Sequence, residues 1–501
     1  MKKIQLKKFE KLDAKSGVIL FLIASVGILY RLFYFPSDIP IVLDGLEFFT
    51  FAQEVKMLGT IPSQIQFANI GWPIFLSSIF SIVPFNDALS YMNLQRMLTV
   101  IISVSTIIPL YFLINKFFDK KYCFLGIIIF VFEPRIIQNS ITGISDSLYI
   151  LILTSAFALF FSGNRNMIMF SVVLSALSTY VRSEGIFIFV TLTILYFIQM
   201  KNEKNKILKF MLMVIIFVLI LSPVIPWRLE VFFNEFINEE IEVIDDKIIS
   251  NNLFITGLEN FSKFFVWVMI PSFIVLVPPG ILILLKKWNK ETQSFIIPIT
   301  ILSIPVFYAY SIPALDTRYL LVLYPFFCLI SLVFIKNFLV ERFDLKKIFI
   351  IIVIGILISS IIFLEYKKID QVHQEIAIDA SKIIIDSPKI VNGFYPESSY
   401  ISALEIIENW PDIPKRDHQG NYEIYTKVIA IDSSDNISRL LKEIKEKELT
   451  HLVIDNNKER PEIYKKIFEN DDQYDFLIKE FDLEKNSSDY RVKIFKINIE
   501  E

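Results

Sequence analysis

The sequence predicts a polytopic α-helical membrane protein that ends in a soluble α/β domain, and three observations carry that expectation. More than half of the 501 residues are hydrophobic (54%), with 48 phenylalanines, which is more apolar surface than a soluble chain buries. Before residue 365 these residues fall into a succession of apolar runs, and after it the pattern breaks into short alternating segments. Lysines crowd one set of turns between the runs, whereas the other set carries single arginines beside carboxylates: Arg135 near Asp146, Arg182 with Glu184, Arg228 with Glu230, and Asp316 with Arg318. Membrane topology alone does not require the second arrangement. It suggests a non-cytoplasmic face that handles a phosphate, because a guanidinium forks onto phosphate oxygens.

The runs are justified in order. Lys2, Lys3, Lys7, Lys8, Lys11 and Lys15 precede the first, at 17–34. No small-residue cleavage site follows it, so it reads as a retained span rather than a signal peptide. Further spans are expected near 97–117, 122–134, 147–161, 166–181, 185–199, 207–226, 263–285, 294–311, 319–335 and 347–364, about eleven in all. The apolar segment 70–85 is short and punctuated by Pro73 and Pro84, so a re-entrant or interfacial helix is expected there. Lysine clusters at 116–121, 201–209, 286–290 and 336–347 join the N-terminus in the cytoplasm by the positive-inside rule; a twelfth crossing would place the N-terminal lysines opposite the others. The expected localisation is thus the plasma membrane, multi-pass, with a cytoplasmic N-terminus.

Three extracytoplasmic regions follow: a first outer loop at 35–96, a large outer loop at 227–262, and the tail. The expected division is a transmembrane domain over 1–365 and an extracytoplasmic α/β domain over 366–501. Helix-like stretches at 371–384, 398–408, 436–447 and 460–470 alternate there with short apolar runs at 389–394, 427–431, 451–454 and 490–497. No glycine-rich phosphate loop follows a strand, so nucleotide binding is not expected. Asn436-Ile-Ser and Asn486-Ser-Ser have the form of glycosylation sequons. No internal repeat is present.

Several function classes are excluded. Net charge is −3 and no basic block marks a nucleic-acid surface. Cys123 and Cys328 both lie in apolar runs, which leaves no disulfide framework or thiolate cluster. The three histidines, His373, His418 and His451, all lie in the polar last quarter. A zinc peptidase, a Ser–His hydrolase or a His-ligated haem within the bilayer is therefore excluded.

Asp44, in Ile-Val-Leu-Asp44-Gly-Leu-Glu47, lies a few residues beyond the first span. If Gly45 starts a helix, Asp44 and Glu47 share a face. A carboxylate at the membrane boundary suits a general base for a hydroxyl, and the same position suits a helix N-cap. Asp146 opens a later span and reads either as a second acidic site residue or as a helix N-cap; two carboxylates can position an acceptor or hold a divalent cation. Arg96, Arg182, Arg228 and Arg318 fall at outer span ends, with Arg318-Tyr319 the first choice for gripping a phosphate and Arg135 a further candidate. Ion pairs Asp316–Arg318 and Arg182–Glu184 are the structural alternative. The acidic segment 234–247 is either a lid or a solvated loop.

Taken in order, Asp44-Gly-Leu-Glu-Phe-Phe-Thr-Phe-Ala, Gly71-Trp72-Pro73, Gln95-Arg96, Glu133-Pro134-Arg135 through Ser145-Asp146, Tyr180-Val-Arg182-Ser-Glu-Gly185 and Asp316-Thr-Arg318-Tyr319 resemble the GT-C glycosyltransferases. The similarity is to the branch of protein O-mannosyltransferases and the lipid A aminoarabinose transferase, over about residues 15–365. The resemblance implies a GT-C-like fold and an inverting sugar transfer from a polyprenyl- or dolichyl-phosphate donor, among membrane lipids, to a hydroxyl acceptor on protein, lipid or glycan. It implies Asp44 as catalytic base, Asp146 as supporting acid, and Arg318 on the lipid phosphate. The chain departs from the usual Asp-Glu pair by having Asp44-Gly45, so Glu47 stands in as second acid. No cofactor is required on this reading. A metal-dependent oligosaccharyltransferase-like enzyme would instead hold Mg or Mn through Asp44 and Asp146. A transporter would show repeated halves and broken midplane helices, and a scaffold would leave the Asp44 and arginine pattern without a role.

Overall fold

A computed structural model describes residues 12–62, 69–200, 205–225, 253–286, 289–312, 314–390, 393–410, 436–457, 460–484 and 490–498. They form two compact units. One comprises Met1–Phe35, Ile65–Ser78 and Gln95–Leu364, and the other Pro36–Gln64, Ile79–Leu94 and Glu365–Glu501.

The first unit is a helical membrane body. Ala14–Phe33, Ala88–Asn115, Lys290–Ser311, Thr317–Leu339 and Leu345–Asp386 are long and apolar enough to cross a membrane, and a bent pair, Lys120–Val131 with Pro134–Ser140, makes a sixth. Shorter apolar helices at Asp146–Phe161, Arg165–Val181, Ser183–Gln199 and Gly71–Ile82 match other expected runs. The chain is a multi-pass membrane protein. Thr317–Leu339 is central, with 89% of its apolar window buried, against 22% for Ala14–Phe33. On that first span Phe21 is 71% exposed; in water such a face would be unstable, and in a bilayer it meets lipid.

Two runs depart from simple spans. The run at 122–134 bends by 55° after Val131. Pro134 takes the first position of the next helix, and the Glu133 carboxylate accepts from Arg135 N (2.7 Å) and Ile136 N (3.1 Å), so the chain restarts a capped helix at the bend. The run at 263–285 is two helices, Leu253–Val268 and Val277–Leu285, joined by turns. Pro271 supplies no N–H to a continuing ladder, and Pro278 and Pro279 fit the first turn of the second helix.

The second unit contains a four-stranded sheet: β1 (Gly393–Phe394), β2 (His451–Asp455), β3 (Leu477–Glu484) and β4 (Arg491–Ile497), in the order β1-β2-β4-β3. β1 and β2 are parallel and the other pairs antiparallel. Ser398–Glu408, Ile437–Glu446 and Glu462–Glu469 occupy three expected helices, while the fourth is the end of the 42-residue helix Leu345–Asp386. The expected strand at 427–431 lies outside the described residues, as does Asn486. Asn436 accepts from Ser438 N (2.9 Å) and so caps Ile437–Glu446.

Strand β3 was not expected, because Lys479, Glu480, Asp482 and Glu484 mask its alternation. It is an edge strand with a register shift between Lys479 and Phe481, and both charge and bulge suit an edge. The unit also takes in 36–64 and 79–94. Ile39 packs among Ala377, Ile378, Tyr400 and Leu404, and the Trp410 ring lies 5.5 Å from Tyr91 and 6.3 Å from Phe49.

Asp455 ends β2 with no exposed surface. Arg460 bonds both its oxygens (Nε 2.9 Å, Nη2 2.7 Å) and Tyr490 donates to it at 3.0 Å. Removing the guanidinium leaves a buried charge without its counterion, at about 3–5 kcal/mol. Arg460→Leu in the full chain is expected to lower the thermal midpoint of this unit by several degrees in a thermal-shift measurement, and an unchanged midpoint rejects the pairing as a source of stability.

Candidate active site

The sequence Ser140 to Asp146 turns the chain from the bent helix into Asp146–Phe161. Gly143 has φ +80°, a conformation that a side chain strains. Its carbonyl accepts two side-chain donors, Trp72 Nε1 at 3.1 Å and Gln95 Nε2 at 2.8 Å, and Thr99 Oγ1 donates to the Ser140 carbonyl at 2.7 Å. The short motifs around Trp72 and Gln95 therefore have a physical reason: they hold the loop that carries Asp146.

Asp146 is 4% exposed at the first position of its helix, where the macrodipole favours a negative charge. Asn139 Nδ2 donates to its Oδ2 at 2.9 Å, and Arg182 Nη1 pairs with its Oδ1. Arg182 ends Arg165–Val181 in an extended conformation and leads into the tight turn Ser183–Gly185. A Cβ on Gly185 would stand 2.5 Å from Thr179 N, so only glycine closes that turn. Asn69 Oδ1 accepts from Ser183 N at 3.0 Å and anchors it from outside. Arg182 Nη2 also donates to Glu184 Oε1 at 3.1 Å, which sets one guanidinium between two carboxylates.

The same guanidinium lies 5.7 Å from the Tyr319 ring and 5.9 Å from Tyr149. Arg318 lies 5.6 Å from Tyr319. Asp316 caps the 3₁₀ helix Thr317–Leu323 by accepting from Arg318 N (2.8 Å), and its other oxygen is 2.8 Å from Arg318 Nε. Tyr319 thus carries two arginines within cation–π range.

Of the candidates read from sequence, Asp146, Arg182, Arg318 and Tyr319 come together in the first unit. Arg135 is engaged elsewhere: its Nε and Nη2 bond the carbonyls of Ile270 and Trp267, both at 3.0 Å, and it stacks on Phe363. Arg96 is buried within Ala88–Ser105. Arg228 and the acidic segment 234–247 lie outside the described residues. Asn139 and Tyr149 join the cluster without having been singled out; the only signal for Asn139 is its place across a glycine turn from Asp146.

Asp44 and Glu47 belong to the second unit, in the first turn of Asp44–Leu58. The N-cap is Leu43, whose carbonyl accepts from Leu46 N and Glu47 N, so Asp44 is the first helical residue and not the cap. Leu43 has φ +53°, uncommon for a branched side chain and a form of strain that clusters at functional positions. Glu47 is exposed as a residue, yet partial desolvation of its carboxyl and, second, the neighbouring Asp44 charge move its pKa upward.

No family model matches the sequence, and no curated protein matches it. Among solved structures the chain is similar to the oligosaccharyltransferase of Archaeoglobus fulgidus in complex with Zn and sulfate, at 13% identity and a TM-score of 0.55 over 87% of this chain and 67% of that one. It is similar to the same enzyme, AglB, in complex with an inhibitory peptide and a dolichol-phosphate (13%, TM-score 0.54, 88% and 70%). ArnT from Cupriavidus metallidurans bound to undecaprenyl phosphate follows at 12% and 0.49, over 79% and 70%. The chain has the GT-C fold.

The zinc of the Archaeoglobus complex prompts a test of Asp146 as a metal ligand. Among the described residues no three His, Cys, Asp or Glu side chains gather into a metal site. Both Asp146 oxygens already accept from nitrogen donors, one of them a cation. Asp146 therefore has both carboxylate oxygens engaged by protein donors.

Two variants test how the Asp146 loop is held. Asn139→Leu deprives a buried carboxylate oxygen of its donor, at about 1–3 kcal/mol, and Gly143→Ala strains the turn by about 1 kcal/mol or more. Both are expected to lower the thermal midpoint of the purified protein, Asn139→Leu more than Gly143→Ala. Equal midpoints for wild type and Asn139→Leu reject the proposed support.

Proposed function

We propose that the chain is an inverting glycosyltransferase of the plasma membrane that moves a sugar from a polyprenyl- or dolichyl-phosphate carrier to an acceptor hydroxyl on the outer face. The observation that carries this reading is the cluster Asp146, Arg182, Arg318 and Tyr319, drawn from distant segments of a GT-C fold. The dolichol-phosphate bound by the Archaeoglobus enzyme supports a lipid-phosphate donor, and the peptide bound there is consistent with a protein acceptor. The lysine-rich turns support a cytoplasmic N-terminus, an outward-facing site and an extracytoplasmic tail.

Asp44 is assigned the role of base. It takes the proton of the acceptor hydroxyl, whose oxygen attacks the anomeric carbon. The bond from that carbon to the phosphate oxygen breaks, and the lipid phosphate leaves with the electron pair. One displacement without a carboxylate nucleophile inverts the anomeric centre. Arg318 is assigned the phosphate, where its fork stabilises the charge that develops on the leaving oxygens. Tyr319 holds that guanidinium by its ring face. Arg182 is assigned to hold Asp146, since two carboxylates already share its charge. Glu47 is assigned a supporting role beside Asp44.

Purified Asp44→Asn is expected to lose transfer from a lipid-phosphate sugar by about 10²-fold or more while remaining folded; undiminished transfer removes Asp44 as base. Arg318→Lys is expected to weaken donor binding about tenfold, because an ammonium offers no fork, and equal donor affinity rejects the phosphate assignment.

A further inference from the structure

We infer that Arg182 takes the place a divalent cation would otherwise fill between Asp146 and Glu184, so that the positive charge at this carboxylate pair is built into the chain. The inference rests on the reading of Asp146 as part of a lipid-phosphate sugar transferase, and it concerns what that enzyme requires.

A bridging cation must sit within reach of both carboxylates and meet lone pairs directed at it. Arg182 meets both conditions with nitrogen donors: Nη1 on Asp146 Oδ1 and Nη2 on Glu184 Oε1. The second Asp146 oxygen is turned to the Asn139 amide at 2.9 Å. The guanidinium is fixed from the backbone side by the Gly185 turn and by Asn69 on Ser183, and its face rests near Tyr149 and Tyr319. A divalent ion entering here would have to displace a half-buried, aromatic-flanked cation that already makes two charge-assisted bonds. A guanidinium also differs from a metal ion in kind: it carries a single charge and cannot activate a bound water. It orients Asp146 and offsets its charge, and its own charge is present at any working pH.

The test measures metal binding as well as activity, on the detergent-purified full chain with Mn²⁺ as probe followed by electron paramagnetic resonance. Wild type and Asp146→Asn are expected to leave the same free Mn²⁺ signal. Transfer by wild type is expected to survive exhaustive chelation unchanged. Arg182→Gln exposes both carboxylates and is expected to bind Mn²⁺ at least about tenfold more tightly than wild type, and the gain is expected to vanish in Arg182→Gln with Asp146→Asn. Stoichiometric Mn²⁺ on wild type that is lost in Asp146→Asn overturns the inference, as does a folded Arg182→Gln with no gain. Should Arg182→Gln fail to fold, the comparison of wild type with Asp146→Asn decides alone. Absence of transfer from every lipid-phosphate sugar would instead overturn the proposed function and leave the Mn²⁺ result readable.

Discussion

The ion pair between Asp146 and Arg182 is the constraint around which the membrane unit is arranged. A carboxylate with almost no exposed surface is unstable without a partner, and so is a guanidinium within a helical membrane body. Each group therefore dictates the position of the other. The carboxylate is delivered by a loop whose Gly143 carbonyl receives Trp72 and Gln95. The guanidinium is delivered by a turn that only glycine at 185 closes. Two turns 36 residues apart meet because neither charge is satisfied alone.

Arginines in this fold divide by the partner that satisfies them. Arg31 is fully buried in the first span and donates to Ser140 Oγ and the Gly27 carbonyl, both at 3.0 Å. Arg135 closes the end of Leu253–Val268 through backbone carbonyls. Arg31 ties the first span to Ser140, and Arg135 replaces the water that carbonyls at a helix end would otherwise find. Arg182 and Arg318 meet carboxylates and an aromatic face instead. Such a mixed setting keeps a guanidinium fixed in direction without covering it in backbone.

Asp146 and Asp44, which belong to separate units, are held by different means. Around Asp146 the chain uses burial and hydrogen bonds. At Asp44 it uses local backbone geometry: a left-handed Leu43 starts the helix, and Asp44 and Glu47 fall in one turn. Partial desolvation of the Glu47 carboxyl raises its pKa, and the like charge of Asp44 one turn away adds to the shift. A helix N-terminus offsets part of the repulsion through its dipole.

Periodicity and composition located most of the elements. Apolar run length marked most helices of the membrane unit, and alternating short segments marked the α/β tail; each reports a local preference of the chain for helix, strand or lipid. The edge strand β3 escaped because edge strands carry charge on purpose, and the two helices within 263–285 escaped because hydropathy averages over a proline break. The local pairs Asp316–Arg318 and Arg182–Glu184 are legible in the sequence, whereas the meeting of Arg182 with Asp146 was decided only by tertiary structure. That pairing depends on which distant turns pack together, and Asn139 and Tyr149 acquire their places from that packing. A residue's type limits the bonds it can make, and the fold selects among them.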